Sequence, residues 1–182
     1  MGKFNFKHFP ELITKRLILR QPHIGDSKSI YLLRTNKKIN ELISRKIPQS
    51  IAETTKFIAE LNNRFYDKKN IFWVIVSKEH SQVIGTIGYQ NFKNNFSYAE
   101  IGYELHPNNH KKGYMDESCK AVLNFGLYSM NLETIEAFTH KDNEASKALL
   151  KKHQFVFQVE RREDGFENNR IFKLKKQTVK QC

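Results

Sequence analysis

A strand, a basic turn and a helix follow one another in the middle of the chain and limit the folds it can adopt. A strand is predicted over Glu100–Leu105, and a turn with a single glycine follows at His110-Lys111-Lys112-Gly113. Apolar residues then recur at three- and four-residue spacing, which predicts an amphipathic helix over 116–130. Another strand is predicted over 132–138. This strand–helix–strand order makes the sheet locally parallel across 100–138.

The turn before this helix combines features that favour anion binding. Unpaired backbone N–H groups and the positive end of a helix dipole meet where a helix begins. Lys111 and Lys112 add positive charge, and Gly113 lets the backbone approach a ligand closely. The turn lacks the glycine pattern of a P-loop or a dinucleotide fingerprint. It therefore predicts a phosphate or pyrophosphate site, with an ordinary basic surface loop as the alternative.

The remaining segments predict one mixed α/β domain over 12–176, with an N-terminal extension at 1–11 and a C-terminal tail at 177–182. Asp26 or Ser27 is expected to cap a first helix, and Ser50 with Glu53 forms a capping box for a second. A further helix is predicted over 143–152. The strand that contains Glu100–Leu105 is predicted to extend over 98–105. The other strands are predicted over 13–21, 71–76, 83–89, 155–159 and 170–174.

Composition restricts the class of protein further. The net charge of +12 favours anionic ligands, but the basic pairs are spread along the chain, which indicates a solvated basic surface more than a nucleic-acid groove. No apolar run approaches the ~20 residues of a membrane span. We expect a cytoplasmic protein without a membrane role, and Cys119 and Cys182 predict neither a disulfide framework nor a metal site.

Five segments carry a recognisable pattern in the correct order between about residues 12 and 175. They are Thr14–Arg20, Val83–Gly88, Ala99–Pro107, Gly113–Glu117, and Asn143–Ser146 followed by His153–Phe155. Together they resemble the GNAT superfamily of N-acetyltransferases, and most closely the branch that contains the ribosomal-protein-alanine N-acetyltransferases.

This resemblance implies a GNAT-like fold, with a mostly antiparallel central sheet, a locally parallel splayed strand pair and helices on both faces. It implies acetyl-CoA as co-substrate and direct transfer to a primary amine in a ternary complex. The implied cofactor-binding residues are Leu105, His106, His110, Lys111, Lys112, Gly113, Tyr114, Met115 and Asn143. Family members commonly carry Gln or Arg where this chain has His110, and Gly where it has Lys111; both replacements can donate hydrogen bonds.

Acyl transfer to an amine requires a base, a polarised carbonyl and a proton for the departing thiolate. The resemblance implies Glu100 as the general base, and Glu104 competes because four strand residues separate the two on one face. Ser146 is implied as the proton donor. Backbone N–H groups near Leu105 and His106 are expected to polarise the carbonyl.

The acceptor is expected to be a protein or peptide N-terminal α-amino group or a small-molecule amine. An α-amino group has an unperturbed pKa of ~7.7–8.0 against ~10.4 for Lys, so its deprotonation costs ~3–4 kcal/mol less. A ribosomal protein is a possible partner, and the chain is expected to be a monomer or homodimer. The alternatives are a non-catalytic acyl-CoA-binding module and a ribosome- or RNA-associated basic protein.

Overall fold

The computed structural model describes residues 4–176, which form one eight-stranded mixed sheet with helices on both faces. The strands are β1 Leu12–Ile13, β2 Leu17–Arg20, β3 Asn70–Ser77, β4 Gln82–Lys93, β5 Tyr98–Leu105, β6 Thr134–His140, β7 Val156–Phe157 and β8 Asn169–Lys175. The α-helices are α1 Ser27–Arg34, α2 Lys37–Asn40, α3 Ile51–Tyr66, α4 Tyr114–Asn124 and α5 Glu144–Lys152. Residues 1–3 of the expected extension and the whole expected tail, including Cys182, lie outside the described residues.

The strand order is β1-β2-β3-β4-β5-β6-β8-β7, and β5 with β6 is the one parallel pair among the described strands. The pair joins through α4, as the strand–helix–strand pattern predicts. Its pairing extends only from Tyr98↔Thr134 to Glu100↔Glu136, after which the two strands separate. The expected fold, including the splayed parallel pair, is therefore confirmed.

The register of β5 against β4 decides which backbone groups face the gap between β5 and β6. The pairing is continuous from Glu100 to Leu105, and His106 N–H donates to Ile84 C=O at 2.8 Å. Because antiparallel residues alternate between bonded and non-bonded pairs, Tyr103 and Leu105 direct their N–H and C=O groups away from β4. Those groups point to where β6 has left the sheet.

Alternation along the strands separates two cores. Odd-numbered β3 residues such as Trp73 and Ile75 pack in the larger core with α4, whereas Val74 and Val76 pack with Ile30 and Ile58 of α1 and α3. Each face is thus apolar opposite its helices, as half-buried amphipathic helices require. Burying one such aliphatic side chain stabilises the fold by roughly 1.5–3 kcal/mol.

Residues 4–11 pack against the domain. Phe4 is buried and its ring lies 5.3–5.8 Å from those of Phe6, Phe65, Phe92 and Phe96. Trp73, fully buried, donates its indole N–H to Pro10 C=O at 2.7 Å. This buried donor has its partner, as a buried Trp requires.

The helix starts show where local signals held and where tertiary contacts changed them. Ser50 Oγ accepts from Glu53 N–H at 3.2 Å, which confirms that cap, while Glu53 reaches Gln49 N–H rather than that of Ser50. Asp26 occupies the cap position of α1 but does not cap it. Its carboxylate instead accepts two hydrogen bonds from Arg20, at 2.7 and 2.8 Å, because a guanidinium fits it in a bidentate geometry.

The helix predicted over 116–130 is wrong at its C-terminal part. The α-helix ends at Asn124, and Phe125–Ser129 form a π-helical turn. Tyr89, fully buried on β4, donates a hydrogen bond from its hydroxyl to Val122 C=O at 3.0 Å. A side chain from the sheet therefore bonds to a backbone carbonyl of the helix. Insertion of this kind disturbs the i→i−4 ladder. A periodicity of apolar residues carries no information about such an insertion.

Gly126 provides the space for this tyrosine. A Cβ added at Gly126 would lie 2.4 Å from Tyr89 Oη. Gly126→Ala therefore destabilises the protein by about 1–3 kcal/mol through overpacking, although the same change in an unobstructed helix would stabilise it by about 1 kcal/mol. Urea unfolding measures the difference. Gly102→Ala is the control, because nothing lies within 4 Å of its added Cβ; a Gly126→Ala protein as stable as wild type would contradict the inserted-tyrosine explanation.

Candidate functional site

The basic turn between β5 and α4 presents a row of unpaired backbone amides. Gly113, at φ +75°, stands at the cap position of α4, and the helix begins at Tyr114. Within the part of the chain that the structure describes, the amides of residues 111–116 donate no hydrogen bond. Lys111 has φ +59°, a left-handed conformation that costs a non-glycine residue about 1–2 kcal/mol. The turn is thus an amide cradle of main-chain N–H groups at the positive end of a helix dipole, an arrangement that favours a bound anion.

An arginine from the first strand motif holds this turn. Arg16 donates to Lys112 C=O at 2.9 Å and to the Glu117 carboxylate at 2.7 Å, and its guanidinium lies 4.6 Å from the centre of the Tyr114 ring. Thr14 Oγ donates to the same carboxylate at 2.6 Å. Burial opposes ionisation of Glu117, but these hydrogen bonds outweigh it and lower its pKa. Two motifs 101 residues apart therefore meet at the turn.

The two histidines before the turn are engaged with backbone groups. His110 Nε2 lies 2.9 Å from Leu105 C=O, so the ring is tied to the end of β5. His106 N–H donates to Ile84 C=O and is not available to polarise a carbonyl, which corrects the expectation for that amide. The amide of Leu105 does face the gap between β5 and β6. Cofactor binding by the side chains of His106 and His110 stays a prediction.

A cleft of about 400 Å³ lies between α1, α3 and the sheet, and extends into the gap where β5 and β6 separate. Its floor includes Gly102 and Glu104 of β5, and its far end includes Asn143 and Ser146 of α5. The splayed strand pair thus opens from the cleft toward α5.

Ser146 lies at the α5 end of this cleft beside a tyrosine. Its Oγ is 2.9 Å from Tyr103 Oη, and its N–H donates to Asn143 Oδ1 at 3.0 Å, so Asn143 caps α5. Burial, with Cys119 nearby, raises the pKa of Tyr103. Its hydroxyl consequently remains protonated at neutral pH and can donate to Ser146.

Glu104 lies in the cleft and is almost fully buried, at 8% exposure. One carboxylate oxygen is 2.6 Å from Arg45 Nη1, and the other accepts from Thr86 Oγ at 3.3 Å. A buried carboxylate requires pairing of this kind. Arg45 and Thr86 therefore hold the Glu104 carboxylate in place at the floor of the cleft.

Glu100 lies on the same face of β5 but outside the residues that line the cleft. Its carboxylate accepts from Asn91 Nδ2 at 2.8 Å. It is four positions before Glu104 in the sequence, which corresponds to about 13 Å along the strand. The structure thus places the two candidate bases in different surroundings, and the role of Glu100 stays a prediction.

Glu136 secures the point where β5 and β6 part. It is 2% exposed, forms a bidentate ion pair with Arg161, lies 3.9 Å from Lys173 Nζ, and accepts from Tyr98 Oη at 2.9 Å. Burial opposes its ionisation, but the hydrogen bonds from Arg161 and Tyr98 prevail and lower the pKa of Glu136. One buried carboxylate therefore joins β5, β6, β8 and the segment after β7.

The sequence did not single out Tyr103 or Arg45. Alternation on β5 places Tyr103 on the face of Ala99 and Ile101, but its neighbour Ser146 becomes visible only once α5 is packed. Arg45 lies between helices in a segment without a motif, so no local signal connects it to Glu104.

No group of three or more His, Cys, Asp or Glu side chains within residues 4–176 could hold a metal ion. None of the described helices combines the length and apolar character that crossing a bilayer demands.

Comparison with known proteins gives a consistent result. A family model described as an acetyltransferase (GNAT) domain matches residues 16–156. The uncharacterized N-acetyltransferase YoaA of Bacillus subtilis (strain 168) is 33% identical over 147 residues, which cover 81% of this chain and 83% of YoaA.

Solved structures share the fold at lower identity. A putative ribosomal-protein-serine acetyltransferase from Vibrio cholerae superposes with a TM-score of 0.79 at 18% identity, covering 92% of this chain and 98% of that one. The ribosomal L7/L12 alpha-N-protein acetyltransferase RimL, in complex with coenzyme A, gives 0.79 at 15% identity, covering 91% and 98%.

The Glu136 cluster predicts a pH-dependent stability. Because its folded pKa lies below the unfolded value of ~4.3, the stabilisation is present above that value and is lost as the pH falls through the folded pKa. Glu136→Gln should lower the free energy of unfolding by about 1–3 kcal/mol at pH 7, toward the lower figure because Arg161 is nearly half exposed.

Urea unfolding from pH 7 to pH 3 measures this difference between the two proteins, which should shrink below about pH 5. Glu60→Gln, at an exposed position of α3, is the charge-matched control and should change little at any pH. A Glu136→Gln effect that is constant across this range would contradict the assignment.

Proposed function

Because the chain belongs to the GNAT acetyltransferase family, whose members take their acetyl group from acetyl-CoA, we propose that its acceptor is a primary amine entering the cleft between α1, α3 and the sheet. The amine is a protein or peptide N-terminal α-amino group or a small molecule, and transfer is direct, within a ternary complex. The observation that carries the proposal is the continuity of the cleft with the gap between β5 and β6, close to the amide cradle of residues 111–116.

The donor side of the site consists mainly of backbone. The amides of residues 111–116 and the dipole of α4 bind the diphosphate, and Lys111 and Lys112 add charge. The N–H and C=O groups of Tyr103, which face the gap, receive the amide-bearing arm. Acetyl-CoA, when bound, supplies the acetyl group as a thioester, and the Leu105 amide polarises its carbonyl.

Ser146 and Tyr103 form the proton-donating pair. As the new N–C bond forms and the C–S bond breaks, Ser146 gives its hydroxyl proton to the leaving sulfur. Tyr103, whose Oη lies 2.9 Å from Ser146 Oγ, stays protonated because its pKa is raised, and it donates a hydrogen bond that supports Ser146. Ser146 regains its proton from solvent in the open cleft, and Glu104 releases to solvent the proton that it takes from the amine, so the transfer balances. Asn143 fixes Ser146 by capping the helix that carries it.

Glu104 is the better placed of the two candidate bases. It lines the cleft that receives the amine, whereas Glu100 does not. Glu104 pairs with the incoming ammonium group and accepts the proton that the amine loses. The amine then attacks the carbonyl as a neutral nucleophile.

The preferred acceptor has an easily deprotonated amine. An α-amino group meets this condition better than a lysine by ~3–4 kcal/mol. Two structural neighbours described above are a putative ribosomal-protein-serine acetyltransferase and a ribosomal L7/L12 alpha-N-protein acetyltransferase, which supports an N-terminal acceptor, including one on a ribosomal protein. Such a role fits a cytoplasmic protein.

Gly113→Ala should weaken coenzyme A binding by about five- to tenfold, because the added Cβ strains φ +75° and reaches 3.3 Å from Arg16 Nη2. Isothermal titration calorimetry with coenzyme A measures the change. Gly165→Ala is the matched control: it has φ +77° in a turn with nothing within 4 Å. Equal affinity of both variants and wild type would contradict binding at the cradle.

Glu104→Gln should lower kcat by about 10²–10⁴-fold, the usual contribution of a general base, while Glu100→Gln should remain within about threefold of wild type. Thiol release from acetyl-CoA, followed over a panel of amines and peptides, measures both. Both variants should bind coenzyme A as wild type does.

A large loss of kcat in Glu100→Gln with little change in Glu104→Gln would instead identify Glu100 as the general base. A Glu104→Gln, Ser146→Ala double variant as active as wild type, or no thiol release by wild type with any acceptor despite coenzyme A binding, would instead support the non-catalytic module. RNA binding that falls steeply with salt would support the alternative of a ribosome- or RNA-associated basic protein.

A further inference from the structure

Three arginines from separate segments line the acceptor cleft. Arg34 ends α1, Arg45 lies between α2 and α3, and Arg64 is on the last turn of α3. The cleft has only one carboxylate among its lining residues within 4–176, that of Glu104. Positive charge therefore exceeds negative charge inside a cleft that must accept a substrate.

Only some of the hydrogen-bond donors of Arg45 have partners. Its Nη1 pairs with Glu104 at 2.6 Å, and its Nε donates to Asn40 Oδ1 at 2.9 Å. Its Nη2 is buried without a partner. A guanidinium presents five donors in a rigid fork, so Arg45 can hold Glu104 and a second anion at once.

Arg34 is a cation without an anionic partner of its own. Its guanidinium stacks on Phe57, 4.1 Å from the ring centre, and the described residues give it no ion pair. Burial lowers the pKa of Arg34, and the nearby charge of Arg45 lowers it further, while Glu104 partly opposes this. Glu104 thus pairs directly with Arg45 and acts on Arg34 only through its charge.

The third part of the cleft has unpaired polar atoms as well. Arg64 Nε is buried without a partner, and so is Oδ1 of Asn70, a residue only 3% exposed at the start of β3. Buried polar groups without partners are rare, and each costs about 1–3 kcal/mol. A ligand with anionic oxygens accepts from Arg45 Nη2 and Arg64 Nε and removes their cost, whereas Asn70 Oδ1 requires a donor.

We propose that the acceptor carries an anionic group, a carboxylate or a phosphate, in addition to its amine, and that Arg34, Arg45 and Arg64 bind this group while Glu104 receives the amine. The inference rests on the proposed transferase function and adds a substrate class to it. One carboxylate and three guanidiniums in one cleft match a substrate with one cationic and one anionic end.

The phosphates of coenzyme A do not account for these arginines. The amide cradle with Lys111 and Lys112 is a separate anion site, and none of its residues lines the cleft. The basic surface does not account for them either, because their unpaired atoms are buried rather than solvated.

The experiment compares acceptors in matched pairs, by thiol release from acetyl-CoA. The pairs are 2-aminoethyl phosphate and ethanolamine, an amino acid and its carboxamide, and a peptide with Asp or Asn as second residue. Rates are corrected to the concentration of uncharged amine, because the anion also raises the amine pKa. In at least one pair the anionic member should have a kcat/KM at least about tenfold higher, and the pair that shows it identifies the source of the anion.

Arg34→Gln and Arg64→Gln should each reduce this preference at least about fivefold, mainly through KM, and Arg64→Lys should recover part of it. Lys38→Gln, an exposed residue of α2 outside the cleft, removes the same charge and should leave the preference unchanged. Arg45 is not substituted, because its loss would also unpair Glu104.

Neutral acceptors that are used equally well in all three pairs would overturn the inference and leave the transferase function intact. An anion preference that both arginine variants retain would overturn it too. If wild type releases no thiol, titration of 2-aminoethyl phosphate and ethanolamine into the coenzyme A complex decides: tighter binding of the phosphate supports the inference, and equal binding rejects it. The comparisons within wild type stand even where a variant does not fold.

Discussion

The separation of β5 from β6 is the constraint on which the site depends. Three residues of parallel pairing, secured by the buried Glu136 with Arg161 and Tyr98, bring the strands together at one end. Beyond that point the β5 backbone has no strand partner on one side. Unpaired backbone groups in a sheet normally attract another strand. Here they line a gap that is continuous with the cleft between α1, α3 and the sheet, and under the proposed function acetyl-CoA and the amine meet at this edge of β5.

The Thr14–Arg20 segment, the first of the five motifs, helps to shape the turn beside this gap. Arg16 lies far from the turn in sequence, yet it holds Lys112 C=O and the Glu117 carboxylate. These contacts direct the turn so that its amides stay free of internal partners. The shape of the turn therefore depends on Arg16, just before β2, as well as on its own residues, two of which adopt left-handed conformations.

Local chemistry predicted most of the fold and the basic turn that precedes α4, while donor binding at that turn stays a prediction. Strand alternation, the Ser50 cap and the basic turn before a helix are properties of neighbouring residues, so sequence shows them directly. The π-helical turn, the Tyr103–Ser146 pair and the Arg45–Glu104 ion pair depend on groups from distant segments. The choice between Glu100 and Glu104 shows the limit: parity placed both on one face, but only packing against α1 and α3 decides which one lines the cleft.

The position of β8 between β6 and β7 has a consequence during synthesis. The ribosome completes β6 at His140, but its hydrogen-bonding edge stays uncovered until β8 emerges from Asn169 onward. At ordinary elongation rates of ~5–20 residues per second, that interval lasts roughly 2–6 s. During this time a nascent chain carries an open edge with apolar side chains, the condition in which chaperones bind and neighbouring chains aggregate. Translation speed between these two strands should therefore influence the yield of folded protein.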